Sequence, residues 1–248
     1  MIPFDIQTFT IAAAVVFGAY VVFGISAFGA ALFVVPVLSH FLPLDVVLPM
    51  VVLLDVSAAL ALGVRISREA EWSELKWMVP LSLAGAVAGV TLLVALPRQV
   101  TIAGIGTLLV LYSLYSLRQG DAARIVRPTW GPVAGFVGGA FGTLFGVGAP
   151  PYAIYLAHRL RDKAAYRATL SNMVIFSVSI RAVVFAAGGL MLADRFAGFA
   201  VLLPFCLAGL WLGNRLQRRI SRAGLLRVVA GLLLLIGVSL LVRALAGG

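Results

Sequence analysis

The chain has 248 residues, of which 62% are hydrophobic and 11% charged, with a mean hydropathy of +1.09. A soluble domain of this size could not bury that much apolar surface, so the composition excludes one and implies a polytopic membrane protein. The net charge of +10 does not point to nucleic acid: nearly all basic residues sit in short connections between apolar stretches, where topology accounts for them and no soluble face is left to display them.

Met1 to Gln7 carries no basic cluster ahead of its apolar run, so no cleaved signal peptide is expected. Phe9 to Leu38 follows, long and rich in glycine, and then Val46–Val64, Trp77–Leu96 and Val100–Leu117. A basic linker, Arg118 to Thr129, leads to a second long glycine-rich stretch, Trp130–Ala157. Ala168–Leu192, Ala197–Gly213 and Gly224–Leu241 complete the chain. The shorter stretches are close to the roughly 20 apolar residues that cross a bilayer as a helix. The single cysteine, Cys206, excludes an internal disulfide and reads as a small buried hydrophobe.

The second half repeats the first. At an offset of 117 residues Gly18 falls on Gly135, Phe28 on Phe145, Gly29 on Gly146, Asp45 on Asp162, Leu53 on Leu170 and Asp55 on Asn172. After a short insertion the offset becomes 124, and Pro80, Gly85, Gly89, Leu92 and Arg98 meet Pro204, Gly209, Gly213, Leu216 and Arg222. The boundaries expected are residues 1–117 for the first transmembrane repeat, 118–129 for the linker and 130–248 for the second, within a single membrane domain.

Equivalent loops of the two halves carry opposite charge. The connection after the first long stretch has no Lys or Arg, whereas its counterpart holds Arg159, Arg161, Lys163 and Arg167. Arg65, Arg68 and Lys76 stand against Arg195 alone, and Arg98 alone against Arg215, Arg218, Arg219 and Arg222. Parallel repeats would place their positive loops alike, so the reversal indicates inverted-topology repeats. With basic loops on both sides of Trp130–Ala157, that stretch leaves and re-enters on the cytoplasmic side. As one straight helix of 28 residues it would be about 42 Å long, more than the ~30 Å hydrocarbon core.

The expected fold is therefore all-α, with two inverted repeats, each a re-entrant or broken helical hairpin plus three transmembrane helices. The hairpin tips fall near Ser26–Ala31 and in Gly142–Pro151, where glycine and proline oppose continuous helix. Both termini would then face the periplasm. Eight ordinary spans, with kinked first and fifth helices, remain the alternative.

Enzymatic motifs are missing: there is no phosphate-cradling Gly-x4-Gly-Lys-Ser/Thr run, no His-Glu-x-x-His and no paired catalytic carboxylates. His40 and His158 lie at segment ends, far from other metal ligands in sequence, so no metal and no cofactor is expected. The glycine-rich breaks are the stronger signal, because irregular backbone at membrane depth is tolerated only where protein buries it or where it lines a wet cavity. Half-helix ends there offer N–H groups and partial positive charge to an anion. The candidate substrate-binding residues are Ser26, Phe28 and Gly29 at one tip and Phe145, Gly146, Gly148, Pro150 and Pro151 at the other, with Asn172 and Arg181 standing around the space between them. Gly18, Gly85, Gly89, Gly135, Gly209 and Gly213 sit in regular segments at small-xxx-small spacing and read as packing residues.

Asp55, Asn172 and Arg181 are polar groups inside apolar spans, where an ionisable side chain is costly and marks function by default. Asp55 is the candidate proton carrier, because desolvation favours the protonated form of a carboxylate. A structural cap or an ion pair with Arg181 is the competing reading of Asp55, and that ion pair or a side chain reaching the membrane interface is the competing reading of Arg181. Arg181 offers a planar fork to an oxyanion. Thr143, Ser57 and Ser171 are weak candidates, since lone hydroxyls in helices usually bond the preceding turn. For Tyr152 and Tyr155, lining the hairpin and sitting at its lipid boundary both stay open.

The run Gly24-Ile-Ser-Ala-Phe-Gly-Ala-Ala-Leu-Phe-Val-Val-Pro36-Val-Leu, loosely repeated as Gly142-Thr-Leu-Phe-Gly-Val-Gly-Ala-Pro-Pro-Tyr-Ala-Ile-Tyr155, resembles the TauE/SafE sulfite exporter family over essentially the whole chain. Many members carry a denser Gly-x-Gly-Gly run, which here reads Phe28-Gly29-Ala30-Ala31 and Gly146-Val147-Gly148-Ala149. The resemblance implies a multi-pass bacterial inner-membrane carrier of sulfite or a related sulfur-containing or carboxylated anion. Inverted halves and the lack of an ATP motif agree with secondary transport, with a small anion and the lipid bilayer as partners. A passive anion channel and a non-transporting membrane scaffold are the rival classes. A homo-oligomer is compatible with the sequence but not implied by it.

Overall fold

A computed structural model describes residues 5–26, 29–61, 69–118, 126–191, 193–216 and 222–245. Among them the chain forms ten α-helices and no strand: α1 (Ile6–Ser26), α2 (Ala31–Leu38), α3 (Leu44–Ala61), α4 (Trp72–Ala95), α5 (Arg98–Arg118), α6 (Trp130–Phe145), α7 (Ala149–Arg159), α8 (Lys163–Ala187), α9 (Ala193–Leu216) and α10 (Arg222–Leu245). Among the described residues five stretches are long and apolar enough to cross a membrane: Ile6–Ile25, Leu44–Ala61, Trp72–Ala95, Ala164–Ala187 and Phe196–Leu216. Gln99–Tyr115 and Ala230–Leu245 are shorter apolar helices among the described residues. The fold is that of an all-helical polytopic membrane protein.

The two long glycine-rich stretches are each broken in two, at the positions where glycine clusters. The breaks differ in placement. At 1.5 Å per residue the 21 residues of α1 measure about 31 Å, enough to cross the hydrocarbon core alone, whereas the 16 of α6 measure about 24 Å and fall short. Other helix ends follow local chemistry. The Asp162 carboxylate accepts from the Ala165 N–H at 2.8 Å and caps α8, and Gly189 (φ +68°) lets the Leu190 N–H close on the Phe185 carbonyl at its far end. Pro80 in α4 and Pro204 in α9, equivalent in the repeat, each remove one backbone donor from a spanning helix.

The helices gather into two compact units, and each draws on both halves of the chain. The first contains α1, α2, α3 through Leu54, α5, α9 and α10. Here α9 packs along α1 and α10 along α5. Close approach is permitted by glycine: a Cβ on Gly24 would lie 2.7 Å from the Leu210 carbonyl, and one on Gly106 2.9 Å from the Gly237 carbonyl. Gly209 and Gly213 pack against the carbonyls of Phe17 and Val21. Cys206 is buried, its thiol 3.8 Å from the Leu54 carbonyl.

The second unit contains α3 from Asp55 onward, α4, α6, α7 and α8. Its main seam is α4 on α6, backbone to backbone: Gly85 and Gly89 meet Phe136 and Ala140, while Gly135 and Gly139 meet Met78 and Ser82. A helix from the first half thus grips the broken stretch of the second, as α9 grips α1. Of the six glycines expected to pack, five do so. Gly18 is exposed, and a Cβ there would meet nothing within 4 Å, so its match to Gly135 in sequence is not a match in packing.

Candidate functional site

The second glycine-rich stretch is a helical hairpin. Gly146 adopts a left-handed conformation (φ +75°) that ends α6, and the Val147 N–H reaches back 3.2 Å to the Phe141 carbonyl. A side chain is disfavoured at such a φ, which is the physical reason for glycine at this position. Pro150 and Pro151 then sit in the first turn of α7, where the missing N–H breaks no helical bond. The two arms run back along each other: Gly148 packs on Gly142, Gly138 on the Tyr152 ring and Gly131 on the Tyr155 ring. Residues Gly142 to Gly148 are all buried.

Arg181, on α8, stands at this tip. Its Cδ lies 3.2 Å from where a Cβ on Gly142 would be, so the absence of a side chain there admits the arginine stem. Its Nη1 lies 3.9 Å from Asp55 Oδ2, an ion pair too long for a hydrogen bond, and the two side chains are only 5% and 7% exposed. A charge pair so deeply buried is held at a desolvation cost on the order of several kcal/mol per ion, which the mutual attraction repays only where further hydrogen bonds support it.

α7 is tied to its neighbours by two tyrosines on one face. The Tyr152 hydroxyl, fully buried, is 2.8 Å from Ser82 Oγ on α4 and 3.3 Å from Ser177 Oγ on α8. Ser177 precedes Arg181 by one helical turn, so this clamp fixes the register of the turn that bears the arginine. The Tyr155 hydroxyl donates to Glu74 Oε2 at 2.5 Å, and Arg159 Nε donates to Glu74 Oε1 at 2.7 Å. Glu74 is a buried carboxylate that sequence reasoning passed over because it lies at the start of an apolar stretch. Its partners, 81 and 85 residues away, leave no local signal.

The remaining candidates separate. Phe145 is buried and packs against Phe141 with the rings tilted and 5.3 Å between centroids, and Pro150 is buried while Pro151 is half-buried. Asn172 is fully buried, but nine residues from Arg181 on α8. Nine residues make two and a half turns, about 13.5 Å along the axis and on the opposite side of the helix, so Asn172 does not share a face with Arg181. Gly29 adopts φ +99° at the break between α1 and α2, in the other unit. Phe28 and the Ser26 side chain lie outside the described residues, as do residues 119–125 of the linker. Thr143 bonds the carbonyls of Gly139 and Ala140, as lone helix hydroxyls usually do. His40 and His158 likewise contact the carbonyl one turn back, at 3.0 and 2.8 Å.

The chain matches the Sulfite exporter TauE/SafE family over residues 11–240. It is similar to the probable inner membrane transporter protein TsaS of Comamonas testosteroni, 32% identical over 193 residues that cover 77% of this chain and 81% of that protein. No solved structure matches it. All-helical among the described residues and matched by the family along nearly its full length, the chain belongs to the TauE/SafE sulfite exporter family and is a multi-pass inner-membrane transporter.

Proposed function

We propose that this transporter is a secondary carrier for sulfite or a related small sulfur-containing or carboxylated anion, working by alternating access, and that Arg181 is its anion-binding group. The observation that carries this reading is the position of Arg181, buried at the tip of the α6–α7 hairpin with Asp55 as its counter-ion. A guanidinium presents a planar fork of N–H donors that matches two oxygens of an oxyanion. The backbone at the tip is less well equipped, because Pro150 and Pro151 remove two of the N–H donors in the first turn of α7. The end of α7 still contributes partial positive charge, so the arginine supplies directed bonds and the helix a favourable field.

Asp55 then sets the coupling. An incoming anion competes with the Asp55 carboxylate for the same guanidinium, and protonation of Asp55 removes that competition. Proton and anion therefore bind together and leave together, which is symport in either direction. Gly29 and its neighbours, at the break of the first half, are proposed to contribute to the same transport cycle by the repeat relationship.

Reconstitution into liposomes tests the proposal. A carrier shows saturable sulfite uptake and counterflow of labelled sulfite, stimulated by an inward proton gradient. Conductance that does not saturate would replace the carrier with a channel. Absence of flux for every anion offered would leave a scaffold.

A further inference from the structure

We propose that the outer face of the α6–α7 hairpin holds an anionic phospholipid, one acyl chain lying between the arms and the headgroup resting on Arg127 and Arg161. A cavity of about 490 Å³ opens there, lined by Val133, Ala134, Val137 and Ile154, with Trp130 and His158 at one end. That volume lies within the range of about 300–1,000 Å³ typical of small-molecule sites. The long lining is aliphatic, which suits an acyl chain and not a soluble anion. The site is distinct from the tip that bears Arg181, and the inference does not depend on what the transporter carries.

The end marked by Trp130 and His158 has the chemistry of a membrane interface. Trp130 is 57% exposed, and an indole at the headgroup level is a usual anchor. Val126, also lining the cavity, donates its N–H to the His158 carbonyl at 3.4 Å, which brings the end of the linker against the end of α7. Arg127 follows Val126, and its carbonyl accepts the Trp130 N–H at 3.1 Å. Arg161 lies three residues beyond His158. Both arginines are exposed.

Of the nearby carboxylates, Glu74 is matched by a cation and Asp162 keeps its charge. Glu74 holds Arg159 and Tyr155, and Asp162 caps α8. Arg127 and Arg161 outnumber Asp162 at this mouth, and basic pockets between membrane helices suit anionic headgroups. A zwitterionic lipid would fill the apolar part equally well but gain less from the arginines, because its own cation offsets its phosphate. Charge thus selects the occupant.

The test uses the full-length protein with Trp72, Trp77 and Trp211 changed to Phe, so that Trp130 is the sole tryptophan, in nanodiscs containing phospholipids with brominated acyl chains. Brominated phosphatidylglycerol should half-quench Trp130 emission at a mole fraction at least about threefold lower than brominated phosphatidylcholine. Arg127→Gln with Arg161→Gln should bring that ratio to about one, as should raising the salt concentration, since exposed charges are screened within about 10 Å at 0.1 M and less above it. Ala134→Phe, which fills the cavity, should weaken quenching by both lipids. Equal quenching by the two lipids in the starting protein, or a preference that survives both high salt and loss of the arginines, would overturn the proposal and leave only bulk lipid on this face.

Discussion

Removing Asp55 and Arg181 singly and together separates their structural role from their proposed chemical one. At 3.9 Å the two charges attract by about 4 kcal/mol if the effective dielectric is near 20, and each has been desolvated to reach that distance. Asp55→Asn leaves a guanidinium uncompensated, and Arg181→Met leaves a carboxylate, so each single change should cost about 3–5 kcal/mol of stability. The double variant removes both charges and should recover most of that loss, because apolar replacement of a buried pair is often neutral or better. The coupling between the two sites should then exceed about 2 kcal/mol, well above the ~0.5 kcal/mol of independent sites. Thermal unfolding in detergent, followed by size-exclusion recovery after heating, reads the stability. Liposome uptake of labelled sulfite reads transport, which should be absent in Arg181→Met and in the double variant alike. Additive stability losses would refute the ion pair, and sulfite transport at the wild-type rate in a stable double variant would refute the binding role.

Other predictions follow from single contacts. Gly139→Val drives a side chain into the Ser82 backbone on α4, and folded yield in detergent should collapse; Gly18→Val, with open space around the Cβ, should leave it near wild type. Tyr152→Phe deprives Ser82 and Ser177 of a shared partner and should cost about 1–3 kcal/mol in thermal stability, with weaker sulfite affinity because the turn bearing Arg181 loosens. Gly146→Val forces a β-branched residue into φ +75°, a strain of about 1–3 kcal/mol, and should abolish counterflow while membrane insertion, read by cysteine accessibility, persists. Asp55→Asn mimics the protonated carboxylate, so any residual sulfite flux in liposomes should lose its dependence on pH while flux in the wild type rises as pH falls.

The breaks in the two long stretches were legible because Gly146 and Gly29 are glycines that a helix disfavours and a positive φ requires. Asp55 and Arg181 were legible as a pair because charges within apolar spans are rare enough to find each other. Partner choice among helices was not. That α4 grips α6 and α9 grips α1 is decided by which small-residue faces meet, and Gly85 reads the same in sequence as Gly18, which meets nothing. Asn172 shows the same limit: its alignment with Asp55 gave its burial but not its side of α8. Glu74 and Ser82 depend on contacts across 70 or more residues, and Ser177 meets Tyr152 from 25 residues away across the turn between α7 and α8, so no local pattern announces them.

The central claim is that the Arg181 guanidinium binds the transported anion. Counterflow of radiolabelled sulfite in proteoliposomes tests it most directly, comparing wild type with Arg181→Lys and Arg181→Met after matching the amount of inserted protein. The account predicts saturable counterflow in the wild type, a KM raised about tenfold or more in Arg181→Lys, whose point charge lacks the planar fork, and none in Arg181→Met. Counterflow in Arg181→Met with an unchanged KM would contradict it and place the anion away from the hairpin tip.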